Sequence, residues 1–129
     1  MTESEKKVKE KVNPDSDKYK VVLKFVNRIL VNLNKDEVDE LTKFVNIDRE
    51  DIIKEENKKV LIEMEKDLFK HFNKDKCGFY RKTANGWVLN VLRGMVKEMG
   101  YELKAIQKEK NEYINGKSYK RTHQIYSIN

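Results

Sequence analysis

Proline and cysteine each occur once in these 129 residues, glycine occurs five times, and long apolar runs are missing altogether. Each shortage excludes something. The lone Cys77 cannot staple the chain to itself, so the sequence predicts an intracellular protein of a reducing compartment. The longest unbroken apolar stretches, Val21-Val22-Leu23 and Ile29-Leu30-Val31, fall far short of a bilayer span, and the opening MTESEKKVKEK has no apolar signal core. No membrane partner is expected. There is no Gly-rich phosphate loop, no HExxH pair and no serine-nucleophile motif. Cys77, His71 and His123 stand at no metal-ligand spacing, so neither a metal nor another cofactor is expected. The acidic run Asp36, Glu37, Asp39 and Glu40 falls in the first turn of a predicted helix, where carboxylates are stabilised anyway. Asp48-Arg49-Glu50-Asp51 lacks the glycine and terminal glutamate of a calcium loop.

What the chain has in excess is charge, 39% of its residues against about 25% in an ordinary domain. The charge is unevenly placed. Residues 73–129 hold 12 Lys/Arg against 5 Asp/Glu, whereas residues 1–72 hold 16 against 17, so the whole net charge of +6 comes from the C-terminal part. A localised cationic surface is what a phosphate-backbone binder needs, because each neutralised phosphate releases condensed counterions. The partner expected is nucleic acid, DNA or RNA.

Residues 1–15 mix charges of both signs with almost no apolar content and read as a flexible arm, leaving residues 16–129 as one domain. Pro14 disfavours helix at Asn13 and leaves Asp15 or Ser16 to cap a helix over 18–33, whose stripe is Tyr19, Val22, Leu23, Val26, Ile29, Leu30 and Leu33. Asn34 followed by Glu37 predicts a capping box and a short second helix with Val38, Leu41, Phe44 and Val45 on one face. Asp48 with Asp51 repeats that signal ahead of a third helix reaching Phe72, with Ile52, Ile53, Val60, Leu61, Met64, Leu68, Phe69 and Phe72 inside. Phe79-Tyr80 follows as a short strand or docked loop. A fourth helix over 85–99, capped by Thr83 or Asn85 and stopped by Gly100, turns Val88, Val91, Leu92, Met95, Val96 and Met99 inward. Gly86, Asn90, Arg93, Gly94 and Lys97 form its outer face, where Gly94 is either a point of close backbone approach or an ordinary exposed glycine.

Asn115-Gly116 suits the positive φ of a type I′ turn, and its flanks are strand-like. A hairpin closed there opposes Leu103 to Ile128, Ala105 to Tyr126 and Ile106 to Ile125, so apolar pairs coincide at the base. The same register opposes Lys108 to His123 and Lys110 to Arg121, with Lys117, Lys120, Tyr113 and Tyr119 nearby. Like charges facing across a ladder destabilise it, which points to an anion from outside the chain. Lysines also discourage edge-to-edge pairing of protruding strands, the competing explanation.

A helical core, a helix with a polar outer face and a basic two-stranded hairpin directly after it resemble, over residues 52–129, the recognition helix and wing of winged-helix nucleic-acid-binding domains. That resemblance implies that Asn90, Arg93 and Lys97 face a groove and that Lys108, Lys110, Lys117, Lys120 and Arg121 form the wing. The segment 73–82 between the third and fourth helices is longer than the tight turn of a standard helix-turn-helix. The Lys/Asn/Ile-rich style also resembles proteins of AT-rich genomes, large DNA viruses among them, so nuclear and virus-associated settings stay open.

The fold class expected is therefore α+β and mostly helical, a three-helix platform followed by a recognition-like helix and a C-terminal β-hairpin. No catalysis is expected. Glu102-Leu103-Lys104 has the E-x-K order of metal-dependent nucleases, but the partner acid would have to be Asp75 or Glu98, and such triplets occur freely in so charged a chain. The rival function is a protein-interaction module, with the helices of residues 18–72 engaging a partner and the hairpin gripping an acidic surface.

Overall fold

Ser16 closes the start of the first helix, its side chain accepting a hydrogen bond from the Tyr19 amide 3.2 Å away. The computed structural model describes residues 10–129. Helix α1, Asp17–Asn32, buries Tyr19, Val22, Phe25, Val26, Ile29 and Leu30. Its end corrects the reading of Asn34. That residue takes a left-handed φ of 58°, while Lys35 N–H bonds to Leu30 C=O and Asn34 N–H to Val31 C=O, a Schellman stop. Asparagine suits both an N-cap and a left-handed position, and here the second use wins.

No second helix follows over 34–45; only a 3-10 turn, Leu41–Lys43, forms there. The backbone of this segment finds other partners. Asn27 on α1 both donates to Val38 C=O (2.9 Å) and accepts from Val38 N–H (2.8 Å), and the Tyr19 hydroxyl accepts from Leu41 N–H. Leu41 and Phe44 are buried as expected, whereas Val45 is exposed.

The short strand β1, Ile47–Asp48, leads into α2, Arg49–Ile52, capped by Asp48 as expected. The long third helix is broken after that turn and resumes as α3, Glu55–Phe69. Asn57, fully buried, causes the break to be stable: its amide donates to Asp51 C=O and Ile52 C=O, and its oxygen accepts from Asn32. The carbonyls that a continuous helix would satisfy are thus closed by a side chain.

Asn73 caps α4, Lys74–Cys77, which ends at Gly78 with φ 74°. Phe79 then docks edge-on against Phe69 at 4.6 Å, the loop alternative for Phe79-Tyr80. Helix α5, Trp87–Glu98, starts from Gly86 with no side-chain cap, so neither Thr83 nor Asn85 serves. Successive turns at Arg81, Ala84 and Trp87 instead feed the chain into it. Gly100, with φ 86°, stops it in a second Schellman motif through Tyr101 N–H to Val96 C=O.

Strands β2, Leu103–Ile114, and β3, Lys117–Ile128, complete an antiparallel sheet of order β1-β3-β2. One cluster of buried side chains runs from Tyr19 to Ile128, with α5 central to it. Of the expected arm, residues 1–9 lie outside the described residues. Val12 N–H bonds to Met99 C=O, and Lys11 sits over the Tyr101 ring, so the described end of that arm lies against the C-terminus of α5. Gly100 makes this approach possible, since a Cβ there would stand 2.5 Å from Glu10 O.

Candidate nucleic-acid interface

Asn115 and Gly116 both take positive φ, 52° and 78°, as a type I′ turn requires. The register expected from that turn is the one observed, from Leu103 opposite Ile128 to Ile114 opposite Lys117. The base is less symmetric than the sequence suggests. Ile125, Tyr126 and Ile128 on β3 are buried, but Ala105 and Ile106 on β2 are exposed, because β2 is the free edge while β3 lies between β1 and β2. Beyond the Ile106–Ile125 pair the ribbon leaves the core and projects by about 25 Å, at 3.3 Å per residue.

Partners across an antiparallel ladder share a face, and alternate residues along each strand point to opposite faces. Leu103, Tyr126 and Ile128 mark the inner face, on which α5 packs, since the Arg93 guanidinium lies 6.0 Å from the Tyr126 ring centroid. Lys104, Lys108, Lys110, Lys117 and Arg121 all belong to the outer face. Lys120 alone among the hairpin's cations belongs to the inner one, opposite Asn111. The pairs Lys108–His123 and Lys110–Arg121 are therefore both on the outer face.

Acids on that face relieve part of the repulsion. Glu112 pairs with Arg121 at 3.6 Å, and the His123 ring sits between Asp48, 3.0 Å from Nδ1, and Glu112, 3.4 Å from Nε2. His123 Nε2 is buried without a hydrogen bond. This chain of contacts ties the ribbon to β1 and α2 and lines a small cleft of about 330 Å³ with Arg49, Glu50 and Gln124. Glu112 was not singled out from the sequence, and Asp48 and His123, read there as a helix cap and as the residue opposite Lys108, were not grouped with it. The alternation of the hairpin register, counted face by face, is the signal that would have put Glu112 and His123 on one face, whereas Asp48 is brought in from β1.

On α5 the exposed residues are Asn90, Arg93 and Lys97, one narrow stripe. Arg93 is already engaged, donating to Asn90 Oδ1 at 3.1 Å while stacked over Tyr126. Gly94 resolves in favour of close approach, because a Cβ there would lie 2.9 Å from Cys77 Cα. Cys77 itself is buried, and that burial, with Glu98 adding to it, pushes its thiol above the ordinary range.

Glu102 lines a cleft of about 440 Å³ with Arg93, Lys97, Tyr101 and Leu103, while Lys104 is not part of that lining. Among the described residues no three His, Cys, Asp or Glu side chains are grouped so as to hold a metal ion, and no helix is long and apolar enough to cross a membrane. Comparison with family models, with curated proteins and with solved structures gives no match.

Proposed function

We propose that this protein binds nucleic acid, DNA in the first instance, through its basic β-hairpin and without catalysis. The observation that carries the reading is the hairpin itself: two strands of 12 residues, exposed beyond their base, with Lys110 held opposite Arg121. Such an arrangement costs the ribbon stability and is offset when phosphates arrive. In this reading α5 is the recognition-like helix of the winged-helix resemblance, with Asn90, Arg93 and Lys97 flanking the contact, and the hairpin is the wing.

The test is a titration against duplex and single-stranded oligonucleotides at several salt concentrations. Binding should weaken log-linearly with salt, with a slope near −0.9 per phosphate contacted on a duplex, and salt-insensitive or absent binding would sink the reading. With Mg²⁺ or Mn²⁺ present the wild type should leave the oligonucleotide intact. Metal-dependent nicking that disappears in Glu102→Gln would replace it with a nuclease.

A second reading rests on a separate observation. The outer side of α1 carries an open groove of about 650 Å³ lined by Lys20, Leu23, Lys24, Asn27, Arg28 and Val31, with Val31 half exposed. A protein partner seated there would make the helical half an interaction module, with the hairpin gripping acidic protein instead of phosphate.

A further inference from the structure

We infer that the hairpin engages duplex nucleic acid with its outer face alone, the face formed by Lys104, Lys108, Lys110, Lys117 and Arg121. The inference rests on the nucleic-acid reading above and goes beyond it by assigning the contact to one side of the ribbon and to a double-stranded ligand. Protection of a free edge does not require such segregation, because a lysine blocks edge pairing from whichever face it projects. The inner face of the projecting part is close to neutral, with Lys120 and Glu109 among Gln107, Asn111, Thr122 and Gln124. A one-sided cationic ribbon matches a surface that approaches from one side.

The aromatics argue for a duplex. Single-strand sites stack successive bases on aromatic rings set beside the cations. Here Tyr119 is on the outer face and Tyr113, 79% exposed, on the inner, so the two rings cannot form one platform. A two-stranded ribbon does fit the major groove of a duplex, and the strands of this one reach well clear of the helices that would otherwise collide with the backbone. The ion pair of Glu112 with Arg121 and the contacts of His123 with Asp48 and Glu112 lie on the same face and link the projecting ribbon back to β1, where the His123–Asp48 contact holds its orientation. Lys104 enters the contact as a base-proximal cation, not as part of an E-x-K triplet.

Lysine acetylation of the wild-type protein with and without a DNA duplex tests the face directly. Lys104, Lys108, Lys110 and Lys117 should be protected by the duplex while Lys120 stays reactive; equal protection of Lys120 overturns the face assignment. A charge transplant gives the second measurement. Lys108→Gln/Lys110→Gln/Arg121→Gln should lower the salt slope by about 2.7, at about 0.9 per contact. Adding Gln107→Lys, Asn111→Lys and Thr122→Lys to that variant restores the net charge on the opposite face, and full recovery of affinity would show that charge, not face, decides. Thermal unfolding of each variant checks that the hairpin's base is intact, and if the triple variant unfolds, Lys108→Gln/Lys110→Gln takes its place, with a slope drop of about 1.8 expected. Tighter binding of one separated strand than of the duplex overturns the double-stranded assignment while leaving nucleic-acid binding standing. No salt-dependent binding to either ligand removes the face assignment together with the reading beneath it.

Discussion

Helix α5 and strand β2 are equal in length, 12 residues each, and are separated by only a short turn, yet they live in opposite environments. In α5 only Asn90, Arg93 and Lys97 are exposed; in β2 everything after Leu103 is exposed except the half-buried Glu112. The difference teaches that stability and recognition are carried by different parts of this chain. The helix is wrapped by α2, α3, α4 and the sheet base, so its sequence answers to packing. The strand touches little but β3, so its sequence is free to answer to a ligand.

The comparison breaks most visibly in the core. Leu61→Ala and Leu30→Ala remove buried side chains from helices that pack together and should each cost about 2–5 kcal/mol in chemical or thermal unfolding. Changes within error for both would mean that these helices are peripheral. Asn57→Ala should follow, at about 1–3 kcal/mol, because it strands the Asp51 and Ile52 carbonyls at the break between α2 and α3. Gly94→Ala should cost a similar amount, about 1–3 kcal/mol, since the new methyl meets backbone and not a side chain that can swing away. That variant has a second readout: the buried Cys77 thiol should resist alkylation in the wild type below the denaturation midpoint and react measurably faster once α4 is pushed off.

On the ribbon the same experiment should register almost nothing. Lys110→Gln and Lys117→Gln lie beyond the buried base and should stay within about 0.5 kcal/mol of wild type, while each lowers the salt slope of DNA binding by about 0.9. A large stability loss at either position would mean that the projecting hairpin is part of the folding unit, and the separation drawn between the two regions would fail.

How much of this was legible beforehand depends on the range of the interactions involved. The hairpin's pairing was readable, because its register follows from the Asn115-Gly116 turn and a two-residue periodicity, both local. The start of α1 and the stop of α5 were readable for the same reason: Ser16 and Gly100 act on amides and carbonyls a few residues away. Two misreadings and one position left open turn on a distant partner. Asn34 ends one helix instead of opening another, in a segment whose backbone is satisfied by Asn27 and Tyr19 on α1. The third helix breaks where Asn57 folds back on α2. Gly94 is a packing glycine only because α4 crosses it.

The sequence by itself therefore determined the hairpin, its pairing, the segregation of net charge into the last 57 residues and the inward stripes of the main helices. These depend on chain geometry and on the period of apolar residues, which any short window contains. Only the tertiary structure decided which strand is covered and which is a free edge, that Arg93 spends its charge on Tyr126 and Asn90, and that Asp48 from β1 reaches His123 on β3. Those outcomes join residues as far as 75 positions apart, and no local propensity encodes them; they follow from how the buried faces of the helices and the sheet base fit together.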